Sequence, residues 1–383
     1  MSKEFLGELF DQSTKNDYSI RFRDLRVTDV VLRQRLTSII DEILAHGPIL
    51  MGPRVEKFES RIAEYCGRRY GVGVSSGTDA LYLALRAYNL GDGDEIVTTP
   101  MSWIATLSAI LMTGAKPIFV DVREDQNIDP DKLTAAITEN TKAIVPVHFT
   151  GRLCDMDMIC DIARHYNLLV IEDAAQAMGA QSGQDKAGSF GDAAVFSLNP
   201  MKVFPGYGEA GAIVIDDPKI HEKLHTLRYL GTQRKEICTE IALNYKMDEI
   251  QAALLLTGFD LIDKIIDRRL EMARHYSKRL TDIITCAPVS TTEDRSSNYF
   301  DYVIFSDDRD KLRAHLDNRG IETKVKHPVL LCDHPGFLFK PRPEIPVADS
   351  LVKRMISLPL HDKMSFSDID YVCDAIGEFQ YCG

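Results

Sequence analysis

The stretch "YGVGVSSGTDALYLALRAYNL", residues 70–90, decides the fold class. It opens with a short β-rich run, "YGVGVSS", and continues through Asp79–Leu90 with apolar residues at helical spacing. Further β-rich runs follow it: "DEIVTTP", "KPIFVDV", "KAIVPVHF" and "LLVIED". The helical patterns between them cover Trp103–Thr113, Asp131–Ile137 and Met156–Tyr166. This alternation, with almost continuously apolar strands, predicts an α/β fold with a mostly parallel sheet flanked by helices.

The pattern changes in the last third of the 383-residue chain. One long helix is predicted from about Asp248 past Arg279, and irregular strands and helices follow it to the C-terminus. We place a domain boundary on this helix, because a chain of this length is expected to form two domains. The predicted parts are an N-terminal extension (1–20), a large cofactor-binding domain (21–260) and a smaller C-terminal α+β domain (261–383).

Composition narrows the class of protein. Acidic residues outnumber basic ones, 57 against 45, and the resulting net charge of -12 disfavours nucleic acid or an anionic membrane as a partner. The eight cysteines are scattered without a CxxC pair, so we expect free thiols and no metal site. The polar start, "MSKEFLGELFDQSTKND", is not typical of a signal peptide, and no apolar run approaches the roughly 20 residues that span a bilayer. The prediction is a soluble, cytoplasmic protein.

Three turns hold candidate binding residues, and the first is "SSGTDAL", residues 75–81. Gly77 permits a tight turn, and Thr78 is expected to cap the helix that follows. Free N–H groups, the helix dipole and a hydroxyl group together suit a phosphate. A capped helix that binds nothing explains the same residues. The chain has no Walker A or GxGxxG sequence, so a nucleotide-binding loop is not indicated.

The second turn is "LLVIEDAAQAMGA", residues 168–180, where Glu172 and Asp173 end an apolar strand. A carboxylate in this position is costly to desolvate unless it meets a cation or hydrogen-bond donors. Two interpretations of Asp173 stay open at this point: it caps a helix, or it faces a cationic ring nitrogen in a ligand site at the carboxyl ends of the strands.

The third turn, "SLNPMKVFPGYGEAG", residues 197–211, contains a single lysine, Lys202. Free lysine has a pKa of about 10.4, so roughly one in a thousand is the neutral, nucleophilic amine at pH 7. Burial lowers that pKa. A lone loop lysine is usually solvated, but beside the other two turns Lys202 indicates a ligand with an aldehyde, a phosphate and a protonated pyridine. That ligand is pyridoxal 5'-phosphate, with Lys202 as its Schiff-base amine.

The chain resembles the DegT family of sugar aminotransferases, pyridoxal-phosphate enzymes of fold type I. Six motifs occur in that family's order: "SSGTDAL", "PMSWIATLSAILMTGAKPIFVDV", "PVHFTGRLCDMD", "IEDAAQAMGA", "FSLNPMK" and "NYKMDEIQAA". The resemblance covers nearly the whole chain, residues 47–372. It implies a fold-type I aminotransferase that transfers an amino group from an amino acid, by family analogy L-glutamate, to a keto-sugar attached to a nucleotide. The family's dehydratase branch has histidine in place of the lysine, so Lys202 argues against that branch.

The resemblance implies roles for three residues at the reacting part of the cofactor. Lys202 would hold the cofactor aldehyde and carry the proton in catalysis. Asp173 would pair with the pyridine nitrogen, and Gln176 would contact the phenolic oxygen of the ring. Lys202 and Asp173 are therefore the implied catalytic residues.

Five more residues are implied to bind the cofactor. Trp103, the only tryptophan, would stack on the ring, although core packing is the alternative for a single tryptophan. Gly77, Thr78 and Ser197 would hold the phosphate. Asn244, in "NYKMDEIQAA", matches an asparagine that crosses to the phosphate of a second subunit in this family. The resemblance therefore implies a homodimer with shared active sites.

The sequence departs from the family where the sugar pocket is expected. Leu198 and Asn199 replace an aromatic residue followed by His or Tyr, and Ala210 stands where glycine is usual. "PGYGEAG" lies slightly nearer the variant of 3-keto-sugar enzymes. Basic residues that are candidates for a diphosphate or carboxylate are Arg228, Lys246, Lys326 and His327, with His148 as a pocket residue of no assigned role. Two alternatives stay open: a sugar phosphate or cyclitol ketone as acceptor, and a relative that binds the cofactor without turnover.

Overall fold

The computed structural model describes residues 18–234, 236–287, 295–337, 339 and 341–382. Its strands are β1 (Tyr70–Val74), β2 (Glu95–Thr98), β3 (Lys116–Phe119), β4 (Thr141–Val145), β5 (Leu169–Asp173), β6 (Gln181–Ser182), β7 (Asp185–Lys186), β8 (Ala193–Ser197), β9 (Gly211–Ile215), β10 (Thr232–Gln233), β11 (Ile237–Cys238), β12 (Thr285–Cys286), β13 (Tyr302–Phe305) and β14 (Met355–Leu358). Seven of them form the main sheet, in the order β1-β9-β8-β5-β4-β2-β3.

The described helices are α1 (Val30–His46), α2 (Pro53–Tyr65), α3 (Gly77–Ala87), α4 (Ile104–Met112), α5 (Leu133–Ala136), α6 (Met156–Tyr166), α7 (Pro218–Arg228), α8 (Glu249–Leu256), α9 (Ile262–Leu280), α10 (Arg309–Asn318), α11 (Pro346–Arg354) and α12 (Phe366–Cys382). Within this described part of the chain, no helix has both the length and the apolar character needed to cross a membrane.

The main sheet is parallel except at one strand. β3, β2, β4, β5 and β8 pair in parallel, whereas β9 runs antiparallel between β8 and β1. The strands are rich in buried apolar residues on both faces, as expected of a sheet covered by helices. The predicted α/β class with a mostly parallel sheet is confirmed, and the antiparallel position of β9 is a feature that the sequence pattern does not reveal.

The predicted helices match the structure in part. The helix predicted over Met156–Tyr166 has these bounds in the structure. The pattern over Asp131–Ile137 yields only a 3-10 turn and the short α5. The single helix predicted from Asp248 past Arg279 is wrong, because α8 and α9 are separate helices. The break contains Gly258, which packs closely against Phe204: a Cβ atom at this position would lie 2.7 Å from Cε2 of the ring.

A second, three-stranded sheet is formed by the C-terminal third of the chain. β13 pairs antiparallel with β12 and β14. One hydrophobic cluster joins this sheet to the main one, since it includes Phe196 and Val214 of the main sheet as well as Tyr302 of β13 and Ile376 of α12. The division into parts at residues 20 and 260 stays a prediction, and residues 1–17 of the predicted extension lie outside the described residues.

Candidate active site

Strand β5 ends in two buried acids that serve opposite faces of the sheet, because successive strand residues alternate. Glu172 accepts hydrogen bonds from the backbone N–H groups of Gly188 at 2.9 Å and Phe190 at 2.7 Å. It also lies 3.0 Å from Nε2 of His148. These contacts occupy its carboxylate within the fold, so Glu172 is a structural residue.

His148, considered above as a pocket residue, is fully buried behind the site. Its Nδ1 accepts a hydrogen bond from the backbone N–H of Cys154 at 3.1 Å, which leaves the ring proton on Nε2, facing Glu172. Both ring nitrogens are therefore used inside the protein. His148 supports the end of β5 and has no free nitrogen for a ligand.

Asp173 is the acid that faces the site. Its Oδ2 accepts a hydrogen bond from the hydroxyl of Thr106 at 2.8 Å, and its Oδ1 accepts one from the N–H of Ala175 at 3.2 Å. No helix starts at Asp173, because β5 leads into a turn, so the helix-cap interpretation is wrong. Burial raises the pKa of the carboxyl, although the Thr106 hydrogen bond and Lys202 lower it. A buried carboxylate that has only neutral hydrogen-bond donors is suited to a cationic ring nitrogen.

Sequence reasoning misses Thr106, which is almost fully buried on α4. Its hydroxyl lies 2.8 Å from Oδ2 of Asp173 and 2.7 Å from the hydroxyl of Ser102. The only signal in the sequence is its place three residues after Trp103, in a stretch already tied to the cofactor. The two hydroxyls and the carboxylate form one buried chain of hydrogen bonds that orients Asp173.

Lys202 lies in the loop after β8, and its side chain is mostly buried. The Nζ atom has no hydrogen-bond partner among the described residues and lies 4.8 Å from the ring centre of Phe300. Burial lowers the pKa of this amine, while Asp173 and Asp301 act in the opposite direction. A desolvated amine without hydrogen bonds is chemically suited to attack a carbonyl carbon.

Helix α3 begins at Gly77, shortly after β1 ends at Val74, and its N-cap differs from the prediction. Ser76, with extended backbone angles, caps the helix by accepting a hydrogen bond from the N–H of Asp79 at 3.1 Å. The expectation that Thr78 is the cap is wrong, because Thr78 already lies in the first helical turn. Thr78 is exposed, and N–H groups of a first turn have no acceptor within the helix.

Gly77 brings this helix terminus into contact with Ser197. A Cβ atom on Gly77 would lie 2.5 Å from Cβ of Ser197 and 2.9 Å from its Cα, so only glycine permits the approach. The first-turn N–H groups of α3 and the hydroxyl of Ser197 at the end of β8 therefore lie close together. This arrangement fits a phosphate group.

Trp103 immediately precedes α4 and has a side chain that is 60% exposed, which excludes core packing. Its ring centre lies 5.5 Å from that of His327, which is also 5.5 Å from the ring of Phe149. Burial lowers the pKa of His327 to about 4, so its imidazole is neutral at pH 7. The exposed indole is available to stack on a planar ring.

Gln176 follows β5 in a tight turn and is buried. Its Oε1 accepts a hydrogen bond from the N–H of Thr150 at 2.9 Å, which leaves its Nε2 as the donor end. The turn is held by Asn298, whose Nδ2 donates to the carbonyls of Gln176 at 2.9 Å and Met178 at 3.1 Å. Asn298 is fully buried and is a second residue that sequence reasoning misses. The oriented amide fits a contact with a phenolic oxygen.

The remaining candidates separate into two groups. Asn244 is exposed, accepts a hydrogen bond from Nζ of Lys246 at 2.5 Å, and is not hydrogen-bonded to any other predicted cofactor residue. Arg228 is buried in an ion pair with Glu59, so it is not a free cation for a ligand. Of the four basic candidates, only Lys326 and His327 lie near Lys202.

The residues expected to line the sugar pocket are placed differently from the prediction. Leu198 and Ala210 are fully buried and joined by a 2.8 Å hydrogen bond from the Leu198 N–H to the Ala210 carbonyl. Asn199 donates to Oε1 of Glu209 at 2.5 Å. Leu198 and Ala210 therefore belong to the core, whereas Asn199 is half-buried beside Glu209.

A cavity of about 660 Å³ borders the Lys202 loop on the side of residues 23–29 and 257–269. Lys202 is the only predicted cofactor residue in its wall. The other predicted cofactor residues do not line this cavity. Among the residues described, no three His, Cys, Asp or Glu side chains are grouped as metal ligands.

The sequence profile of the DegT/DnrJ/EryC1/StrS aminotransferase family matches residues 31–377. The chain belongs to this family. Among curated relatives, a pleiotropic regulatory protein of Geobacillus stearothermophilus is 36% identical over 91% of this chain and 95% of its own length. The dTDP-3-amino-3,4,6-trideoxy-alpha-D-glucose transaminase of Streptomyces venezuelae is 35% identical over 94% of this chain and 96% of its own length.

Solved structures of similar proteins agree with the fold. The structure of S. venezuelae DesV in complex with a ketimine intermediate has a TM-score of 0.90 and 34% identity, and the match covers 94% of this chain and 98% of that chain. The structure of NtdA from Bacillus subtilis with bound cofactor PMP has a TM-score of 0.87 and 29% identity, covering 95% and 86%.

Enzymes of the DegT family depend on pyridoxal 5'-phosphate, and this chain is a pyridoxal-phosphate-dependent aminotransferase. The geometry fits the cofactor at three separate points. Among the described residues, Asp173 is hydrogen-bonded by neutral groups only, and the amine of Lys202 has no hydrogen-bond partner. A close approach that only glycine permits joins Gly77 to Ser197.

Proposed function

We propose that this aminotransferase transfers the amino group of L-glutamate to a keto-sugar attached to a nucleoside diphosphate, for amino-sugar biosynthesis in the cytoplasm. The observation that carries the proposal is that the amine of Lys202 and the buried carboxylate of Asp173 lie close enough to influence each other's pKa within one site. The end-to-end similarity to a dTDP-amino-sugar transaminase supports the acceptor class. The seven described cysteines are all free thiols, which supports a reducing compartment.

Two residues supply the chemistry in this proposal. Pyridoxal phosphate, when bound, supplies an electron sink for a carbanion. Asp173 holds a proton on the ring nitrogen, because its buried carboxylate is most stable beside a cation. Lys202 provides the amine for the aldehyde, and the same amine moves the proton at the substrate carbon.

The cofactor-binding roles follow from where each side chain lies. Trp103 offers its exposed indole face to the ring, and Nε2 of Gln176 donates to the phenolic oxygen. Gly77, Thr78 and Ser197 bind the phosphate through the helix terminus and hydroxyl groups.

A homodimer with shared sites completes the proposal. Asn244 reaches the phosphate bound by a second copy of the chain. The segment before it carries four apolar side chains that are between 45% and 88% exposed: Leu230, Ile237, Ile241 and Leu243. A run of exposed apolar residues of this kind favours an interface. The exposure of Asn244 supports a role outside its own subunit.

The proposal is tested by supplying the purified enzyme with L-glutamate and a panel of keto-sugars. The expected result is amination of a nucleotide-linked keto-sugar, identified by mass and NMR, with release of 2-oxoglutarate. The variant Lys202→Ala serves as the inactive control. Amination of only a sugar phosphate or a cyclitol ketone would show that the acceptor class is wrong. Failure of glutamate to convert the bound cofactor to its amine form would favour a binding protein without turnover.

A further inference from the structure

The ring of Phe300 is surrounded by three cationic side chains. Its centre lies 4.1 Å from Nζ of Lys326, 4.8 Å from Nζ of Lys202 and 5.3 Å from Cζ of Arg23. The face of an aromatic ring attracts cations, so Phe300 gives each of them a defined place. Because both lysine amines lie close to the centre of this ring, they are less than about 10 Å apart. Phe300 itself is buried.

Asp301 fixes two of these cations. Its carboxylate oxygens lie 2.7 and 2.8 Å from Nζ of Lys326, and Oδ1 lies 3.0 Å from Arg23. Arg23 also donates to the carbonyls of Phe300 and Leu360. One carboxylate thus faces two cations.

Charged groups act on the Lys202 amine from several parts of the fold. They are Asp173 at the end of β5, Glu209 in the lysine loop, Asp301 before β13 and Arg23 in the N-terminal segment. The charge of Lys202 in turn lowers the pKa of Lys326, and because repulsion between two ammonium groups is mutual, Lys326 also acts on Lys202. His327 adds no charge at pH 7, since burial lowers its pKa to about 4. The three carboxylates favour the ammonium form of Lys202, and the two cations oppose them.

We propose that Lys326 is a positioning residue: its ammonium group keeps the amine of Lys202 neutral and nucleophilic. Asp301 holds this ammonium group in place, and the two lysines lie around the ring of Phe300. This inference rests on the proposed function, because it takes Lys202 as the amine that reacts with the cofactor aldehyde. Burial lowers the pKa of Lys326 to about 8, so Lys326 is still mostly charged at neutral pH and repels a second ammonium.

The expected size of the effect follows from the separation of the two amines. A unit charge about 10 Å away, at an effective dielectric constant of about 20, changes a pKa by about one. Loss of the Lys326 charge should therefore raise the pKa of Lys202 by about one and reduce its neutral fraction about tenfold near pH 7.

The test measures the pKa of Lys202 in the full-length chain without cofactor. Trace acetic anhydride labels neutral amines, and mass spectrometry follows the Lys202 peptide between about pH 6 and about pH 10. Wild type is compared with Lys326→Gln, which keeps a donor for Asp301 without the charge, and with Lys326→Arg, which keeps the charge. Lys324→Gln is the matched control, because Lys324 is on the same segment and pairs with Glu322 at 2.9 Å.

We expect the Lys202 labelling midpoint to rise by about one in Lys326→Gln and to match wild type in Lys326→Arg and Lys324→Gln. An unchanged midpoint in Lys326→Gln, or an equal rise in Lys324→Gln, overturns the proposal. If Lys326→Gln does not fold, Lys326→Met takes its place, and we expect the same rise of the Lys202 labelling midpoint. Labelling is measured without cofactor, so its outcome does not depend on whether Lys202 bonds the cofactor. Borohydride reduction of the cofactor-loaded enzyme tests that bond.

Discussion

At the scale of single residues, the ionisation of Asp173 depends on the hydroxyl of Thr106, which the local sequence pattern does not indicate. Thr106 donates to Oδ2 of Asp173 at 2.8 Å inside the core. A hydrogen bond to a charged group contributes about 1.5–3 kcal/mol, and its loss leaves the carboxylate both less oriented and harder to ionise. The role of Asp173 therefore depends on its neighbour on α4.

Replacing Thr106 with valine keeps the shape and removes the hydroxyl. We expect about tenfold weaker cofactor binding or turnover, because Asp173 loses its donor. Thr106→Ser retains a hydroxyl and should stay close to wild type. Cofactor titration and glutamate half-reaction rates measure the difference. Wild-type behaviour in the valine variant would mean that the hydrogen bond does not support the site.

Asp173→Asn separates the chemistry from the fold. Burial raises the pKa of Asp173 in the folded chain, so its ionisation costs stability once the pH exceeds its unfolded pKa of about 3.9. The cofactor-free variant should therefore melt at the same or a higher temperature than wild type at pH 7, and the difference should shrink toward acid pH. Turnover should fall at least about 100-fold. A strong loss of stability in the cofactor-free variant would contradict this account.

At the scale of secondary-structure elements, the approach of α3 to β8 forms the proposed phosphate site. Gly77→Ala places a Cβ atom 2.5 Å from that of Ser197, which must displace the helix terminus. We expect cofactor affinity to fall about tenfold or more. Gly336→Ala is the control, since no atom lies within 4 Å of its added Cβ. Equal affinities of the two variants, measured by equilibrium dialysis, would rule out this role for the contact.

The sequence predicts the elements that depend on local pattern and fails where distant contacts decide. The buried strands and α6 follow from apolar runs and helical spacing. The break between α8 and α9 contains Gly258, which packs against Phe204, more than fifty residues away, and the position of β9 depends on pairing across the sheet. Such contacts have no local signature.

The same limit applies to the site. Lys202 and Asp173 stand out because a lysine among apolar residues and an acid ending an apolar strand both break the local pattern. Thr106, Asn298 and the charge cluster around Phe300 are ordinary residues in the sequence and become functional candidates only through long-range contacts.

At the scale of the whole molecule, shared active sites predict that two inactive variants complement each other. In a mixed dimer of Lys202→Ala and Asn244→Ala subunits, one site carries both changes and the other carries none. Random mixing should restore about a quarter of wild-type activity, because half of the dimers are mixed and each has one intact site. Activity assays after subunit exchange measure this recovery, with light scattering as the control for dimers. No recovery, or a monomer in solution, would count against shared sites.

The most direct measurement of the central claim is borohydride reduction of the purified, cofactor-loaded enzyme, followed by peptide mass spectrometry. The account predicts that the vitamin B6 group is fixed to Lys202 and that Lys202→Ala binds the cofactor without a covalent link. A label on another lysine, or a protein that takes up no cofactor at all, would contradict it.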